Sequence, residues 1–253
     1  MLTPAPNIHR PRHRMAIVGN QPSGCDISKR VDATDHVIRF NRPYGFGAET
    51  GSRIDALWLV NCGGQMREWL DNDAFWSSDA IAATPEVVLT VDPTIAHYYD
   101  PPLSDDEWDA ARDQDHTEAA SARLAELGKT VRLLPAEVYF AAAKALGRAT
   151  FTRGMPMPST GFLAAFDAVQ TAALATVADG SDIGHEPTAH PMLFNFGFAG
   201  WTGHDWAGER AWAIAQARAG RLTLATSEDD ASARPALTSD QLQADNDQLA
   251  RSA

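Results

Sequence analysis

Seven short apolar runs recur along the chain, and helical patterns lie between them. The runs are MAIVG (15–19), HVIRFN (36–41), DALWLVN (55–61), EVVLTVD (86–92), TVRLLP (130–135), MLFNFGF (192–198) and RLTLAT (221–226). Helical spacing falls at 64–72, 105–127, 136–146, 159–177 and 205–219, with Gly128 and Gly220 read as helix ends. Alternation of this kind predicts an α/β fold: a single Rossmann-like domain, with a mostly parallel twisted sheet of about seven strands flanked by helices. Ligands of such sheets sit beyond the carboxyl ends of the strands. The residues that follow each run are therefore the first place to look for chemistry.

The 253 residues suit one domain, and 44% hydrophobic content can fill its core. A formal charge of −12 argues against a nucleic-acid partner and against docking on anionic lipid. From Ser227 onward large apolar residues are few, and six acids against two bases account for −4 of that charge. We read 227–253 as an acidic, loosely docked or disordered tail, 1–14 as an N-terminal extension and 15–226 as the folded domain. No stretch has the length of a signal peptide core or the roughly 20 apolar residues of a membrane span. The expectation is a cytoplasmic protein with no membrane span, whose Cys25 and Cys62 are free thiols.

Four constellations follow strands or open helices. Gly19 and Asn20 end the first run, where glycine allows a close backbone approach and the Asn amide can donate to a phosphate oxygen without adding charge. Asn41 ends the second run in the same way. Two neutral donors on neighbouring strand ends suit one phosphodiester; a polyphosphate would call for Lys, Arg or a metal. In PSTGFLAAFDAV, Ser159 is an N-cap, Phe162, Leu163, Phe166 and Val169 form the buried stripe, and Ser159, Thr160 and Gly161 stand at a helix start suited to an anion or a ribose. In HDWAGERAWAI, Asp205 is an N-cap and Trp206, Trp212 and Ile214 are expected to face the core. His204 then lies just before the helix, whose dipole disfavours imidazolium, and Glu209 lies one turn inside. Each constellation alone also has a purely structural explanation, as a turn, an Asx-turn or a cap.

Taken in order, these segments resemble the sialyltransferase family, glycosyltransferase family 29. AIVGN…DHVIRFN (16–41) is similar to the family's large motif and PSTGFLAAFDAVQ…FNFGF (158–198) to its small motif, stretched here by an insertion near DGSDIGHEPTAHP. HDWAGE (204–209) is similar to the very small motif, H-x4-E. The resemblance implies a sialyltransferase-like variant of the GT-A fold, with a CMP-sugar donor, a glycan acceptor, no cofactor and no metal. Carried onto this sequence, Asn20 and Asn41 hold the donor phosphate, Gly19 makes the turn of this nucleotide-binding loop, and Ser159, Thr160 and Gly161 contact the CMP moiety. Phe196 and Gly197 wall the nucleotide, His204 is the catalytic base and Glu209 supports the site. The implied reaction is inverting transfer of sialic acid or a Kdo-like keto sugar acid, of the kind used in bacterial polysaccharide synthesis.

Three family features are missing. The aromatic/His third motif is not recognisable in AGWTG (199–203), and HYYD (97–100) comes too early to be it. No Cys lies near Ser159 to form the disulfide of animal members, and the chain shows no anchor or stem. Aromatics that could stack an acceptor sugar are Trp69, Trp76, Tyr98, Tyr99 and Trp108, in the loops 62–80 and 93–120. Two alternatives stay open: a nucleotide- or glycan-binding protein of this fold without catalysis, and a metal-dependent glycosyltransferase using one of the pairs Asp71/Asp73, Asp113/Asp115 or Asp245/Asp247. P-loop, dinucleotide and serine-hydrolase signatures are absent.

Overall fold

The computed structural model describes residues 14–22, 24–178, 190–196 and 200–225. All seven expected strands are present: β1 (Met15–Val18), β2 (His36–Phe40), β3 (Ala56–Leu59), β4 (Glu86–Leu89), β5 (Thr130–Leu133), β6 (Met192–Phe194) and β7 (Thr223–Ala225). They form one sheet in the order β5-β4-β3-β2-β1-β6-β7, and every pairing is parallel. The chain steps outward from β1 to β5 and then returns to the other side of β1. The topological switch therefore falls between β1 and β6, the crevice where sheets of this kind bind ligands.

The helices are α1 (Ser28–Asp32), α2 (Gly63–Leu70), α3 (Asp73–Trp76), α4 (Asp79–Ala83), α5 (Asp105–Gln114), α6 (Thr117–Glu126), α7 (Ala136–Ala145), α8 (Thr160–Ala178) and α9 (Trp206–Arg218), with a 3-10 turn at Pro93–Tyr98. One sheet face packs Ile17, Ile38, Phe40, Trp58 and Val88 against Phe162, Leu163, Phe166 and Val169 of α8 and against α7. The other packs Leu57, Leu59, Val87 and Leu89 against α2, α3, α4 and α6. The buried stripe expected of α8 is real, and Trp212 of α9 meets it, 5.0 Å from the Phe162 ring.

Local patterns erred in three places. The single helix expected over 105–127 is two, because the chain between them turns aside to pair with the end of β3: His116 N–H donates to Asn61 C=O at 3.0 Å, and Asp115 bridges Cys62. Helices α1, α3 and α4 are too short to show a period; Asn72 and Ser78 cap the latter two instead. Ile214 does not face the core and is 36% exposed. The buried positions of α9 are Glu209 and Ala213, so a carboxylate occupies the place periodicity reserves for an apolar side chain. Cys25 and Cys62 carry thiols rather than a disulfide, and burial pushes the Cys62 thiol up to about 11.

Gly19 owes its identity to the switch point itself. Its N–H donates to Phe194 C=O at 2.8 Å, and a Cβ there would lie 2.1 Å from the Asn195 carbonyl oxygen. The close approach inferred for this glycine is to the neighbouring strand.

Candidate active site

The strand tips are knitted by asparagines. Asn20 Nδ2 donates to Phe40 C=O at 3.1 Å, and its Oδ1 accepts from Tyr44 N–H at 3.0 Å. Asn41, held at φ 54°, accepts at Oδ1 from Val60 N–H at 3.1 Å. Asn61, fully buried, exchanges two bonds with Val91, at 2.7 and 2.8 Å, and donates to Thr117 Oγ1. Each side chain thus repeats, beyond the end of its strand, the pairing to the next strand in the sheet. Both carbonyl oxygens of Asn20 and Asn41 are committed in this way. What remains for a ligand is the second amide proton of Asn20 and the NH2 of Asn41, which are donors and suit an anion.

The loop that follows β2 is fixed by a buried cation that sequence patterns passed over. Arg39 is fully buried in mid-strand. It donates to Arg53 C=O at 3.0 Å, Thr50 Oγ1 at 2.8 Å, Thr50 C=O at 2.6 Å and Gly51 C=O at 3.1 Å. Burial pulls its guanidinium down to about 10, so it stays charged near neutrality. Thr50 passes its own hydroxyl proton to Tyr44 C=O at 2.9 Å, and Tyr44 N–H reaches Asn20. A chain of bonds therefore runs from Arg39 to the candidate phosphate ligand. The signal in the sequence was an arginine amid an otherwise apolar run.

α8 begins directly over this rim. Ser159 caps it, accepting from Phe162 N–H at 3.1 Å, and a Cβ on Gly161 would lie 2.9 Å from the Phe40 ring. In the first turn of this helix the N–H groups of Thr160 and Gly161 have no intrahelical acceptor. The Ser159 hydroxyl proton goes elsewhere: it donates to Glu209 Oε2 at 2.6 Å, while Ser159 N–H donates to Oε1 at 2.8 Å. Ser159 thus serves the site as cap and tether, leaving Thr160 and Gly161 as the donors of that turn. Phe196 is half-buried against the α8 side of the core, and Gly197 lies outside the described residues.

His204 is tied to the same turn. Met157 N–H donates to Gly203 C=O at 2.8 Å, and His204 Nδ1 stands 2.8 Å from Met157 C=O. A carbonyl only accepts, so Nδ1 carries the proton and Nε2 keeps the lone pair. Burial lowers the pKa of His204 from its ordinary 6.5, more than the Met157 bond raises it. The imidazole is accordingly neutral at pH 7, and desolvation is the main cause. Asp205 caps α9 by accepting from Gly208 N–H at 2.9 Å and pairs with Arg148 at 3.0 Å.

Glu209 joins the two helix starts from a buried position. Desolvation pushes its carboxyl up to about 7, against the two Ser159 bonds and Arg148, which favour the ionised form; Asp205 adds to the rise. Between the ordinary 4.5 and about 7, the unfolded chain releases this proton while the folded chain keeps it. Stability is expected to fall as pH rises through that window, and to level off above it. Urea midpoints of wild type and Glu209→Gln from pH 5 to 8 check this: the wild-type slope should flatten in the variant.

A cavity of about 350 Å³ adjoins Asn41, lined also by Arg42, Phe46, Phe75 and Ser78. Another of about 340 Å³ opens at the amino ends of the strands, beside Met15, Glu86 and Arg132, and borders none of the candidate residues. Asp71 and Asp73 flank the junction of α2 and α3, and Asp113 and Asp115 lie at the end of α5, so neither pair follows a strand; Asp245 and Asp247 lie outside the described residues. Trp69 and Trp76 are core residues, 1% and 2% exposed. Tyr98 stacks on Phe140, Tyr99 leans on Phe151, and Trp108 leans on His97. The exposed aromatic beside His204 is instead Trp201, in the AGWTG stretch that showed no recognisable motif. Asn195, at φ 50° after β6, was also overlooked; its buried Nδ2 bonds to no described residue.

No helix among the described residues is long and apolar enough to cross a membrane. No family model matches the sequence, and no curated protein matches it. Among solved structures, a mammalian sialyltransferase in complex with Gal-beta-1-3GalNAc-ortho-nitrophenol is similar over 85% of this chain and 69% of its own, at 15% identity and a TM-score of 0.44. A second structure of a mammalian sialyltransferase is similar over the same shares of the two chains, at 14% identity and a TM-score of 0.44.

Proposed function

We propose that the protein is a glycosyltransferase that moves a keto sugar acid, sialic acid or one like it, from a CMP-activated donor to a glycan hydroxyl. The observation that carries the proposal is the His204 Nδ1 bond to Met157 C=O, which sets the tautomer of the neutral imidazole so that its basic nitrogen is Nε2, one short segment away from the start of α8. A general base needs that tautomer and that proximity to an anion-binding helix start. The order of the motifs along the sequence supports the same assignment.

In this scheme the amides of Asn20 and Asn41 and the first-turn N–H groups of Thr160 and Gly161 hold the single phosphate. They stabilise CMP as it leaves, as preorganised donors placed where negative charge develops. His204 Nε2 takes the proton of the acceptor hydroxyl while its oxygen attacks the anomeric carbon from the face opposite CMP. Configuration inverts through an oxocarbenium-like transition state. Glu209 acts through Ser159 and α9, holding the base and the phosphate turn in one geometry. Neutral donors suffice for one phosphodiester, so the scheme asks for no metal.

A thermal-shift panel of CMP, UMP, GDP and AMP, with and without Mn²⁺, tests the donor class. CMP alone is expected to raise the melting temperature, independently of metal, by the equivalent of about 2.7 kcal/mol at a hundredfold excess over its Kd. A response to GDP or UMP that needs Mn²⁺ would overturn the assignment. A CMP response without transfer to any of a broad set of glycans would make the protein a binder.

A further inference from the structure

The transfer scheme leaves unused the most exposed large hydrophobic side chain among the described residues. Trp201 is 67% exposed, and its ring lies 5.1 Å from that of His204, at 88° to it. The main chain that carries the indole is pinned: Trp201 C=O accepts from Trp206 Nε1 at 3.0 Å and from His204 N–H at 3.4 Å. The six-membered ring covers Gly203 so closely that a Cβ there would come within 2.2 Å of it. Trp206 meets the imidazole from its own side at 5.1 Å and 84°. The base thus stands between polar groups of the α8 start and an open aromatic surface.

An indole that is fixed yet uncovered leaves a large apolar area in water, and covering it is favourable. The ligand that covers it must also bring a hydroxyl to His204. A pyranose fits both needs: one face is a patch of C–H groups, weakly apolar and electropositive, that matches the negative face of an indole. Its rim carries hydroxyls at the spacing of the adjacent ring. The Arg148–Asp205 pair, whose charged groups are 3.0 Å apart and whose Asp205 follows His204 in the chain, offers further polar partners for that rim.

We infer that Trp201 is the platform on which the terminal sugar of the acceptor glycan stacks, with one hydroxyl presented to His204 Nε2. This rests on the transfer reading above, and the two are separable by experiment. Wild type, Trp201→Ala and Trp201→Phe are titrated with methyl β-D-galactoside, methyl β-D-glucoside and methyl N-acetyl-β-D-glucosaminide by saturation-transfer NMR, and with CMP by thermal shift. At least one glycoside should bind saturably, about tenfold more weakly in Trp201→Ala (a loss of about 1.4 kcal/mol) and within about threefold of wild type in Trp201→Phe. The CMP response should be the same in all three proteins.

Glycoside binding unchanged in Trp201→Ala would overturn the inference. So would a wild type that responds to CMP and binds none of the glycosides. Loss of the CMP response in Trp201→Ala would also overturn it, and would give the indole to the nucleobase. Silence toward CMP with Trp201-dependent glycoside binding would overturn the donor assignment and leave the platform standing. Silence toward both would overturn both.

Discussion

Replacing His204 with glutamine is expected to slow transfer about 10²- to 10⁴-fold while leaving the CMP response in place. The Met157 N–H bond to Gly203 C=O does not involve the side chain, so the turn that joins this segment to α8 need not be lost. What glutamine lacks is a nitrogen able to take a proton from the acceptor. The pH profile separates this from mere damage. Because burial lowers the His204 pKa from 6.5, the acid limb of wild-type kcat/KM should lie below that pH, with a plateau at neutrality. The variant should lose that limb along with its rate. Steady-state transfer from CMP-sialic acid across pH 5 to 8 measures both. A variant within threefold of wild type, or one whose acid limb persists, would remove His204 from the reaction.

Arg39→Met should be the most destabilising single change in the rim. The guanidinium satisfies three backbone carbonyls and one hydroxyl in a place without water, and methionine can satisfy none of them. Orphaned buried acceptors cost about 1–3 kcal/mol each, and partial relaxation of the loop offsets some of that. A net loss of about 3–5 kcal/mol is expected, read as a lower urea midpoint. Thr50→Val, which removes one of the four contacts, should lose about a third as much. The bonds from Thr50 through Tyr44 to Asn20 carry the effect to the strand tips. Arg39→Met protein that is still folded in the cold should therefore bind CMP more weakly. A midpoint within the error of wild type would show that the loop holds itself.

Much of the sheet was legible because its strands are short, apolar and separate; His36–Phe40 and Glu86–Leu89 need little beyond their own residues to be recognised. The order of strands was not, since no local pattern says that β6 returns to the far side of β1. The break at Asp115 and His116 was hidden for a related reason: a helical pattern runs through it, and only the distant Asn61 interrupts it. At the candidate site, Ser159, His204 and Glu209 were singled out by type, spacing and the family resemblance, and their mutual contacts could be known only from the fold. Glu209 is the instructive residue. A carboxylate one turn into a helix reads as a solvated charge, yet it sits in the core because Ser159, fifty positions earlier, meets it with two donors. Trp201 was passed over for the opposite reason. The stretch around it carries no recognisable motif, while the property that singles it out, exposure beside His204, exists only in three dimensions.

The asparagine steps along the strand tips carry a consequence for how a ligand is met. Loops at the mouth of a sheet often wander when vacant and must be stilled by whatever they capture, at an entropic cost that weakens capture. Here Tyr44, Val60 and Val91 are anchored by the side chains of Asn20, Asn41 and Asn61, through bonds internal to the protein. The mouth is tied together by the same amides whose remaining protons are proposed for an anion, so in that proposal the ligand is met by strand tips that hold one another in place.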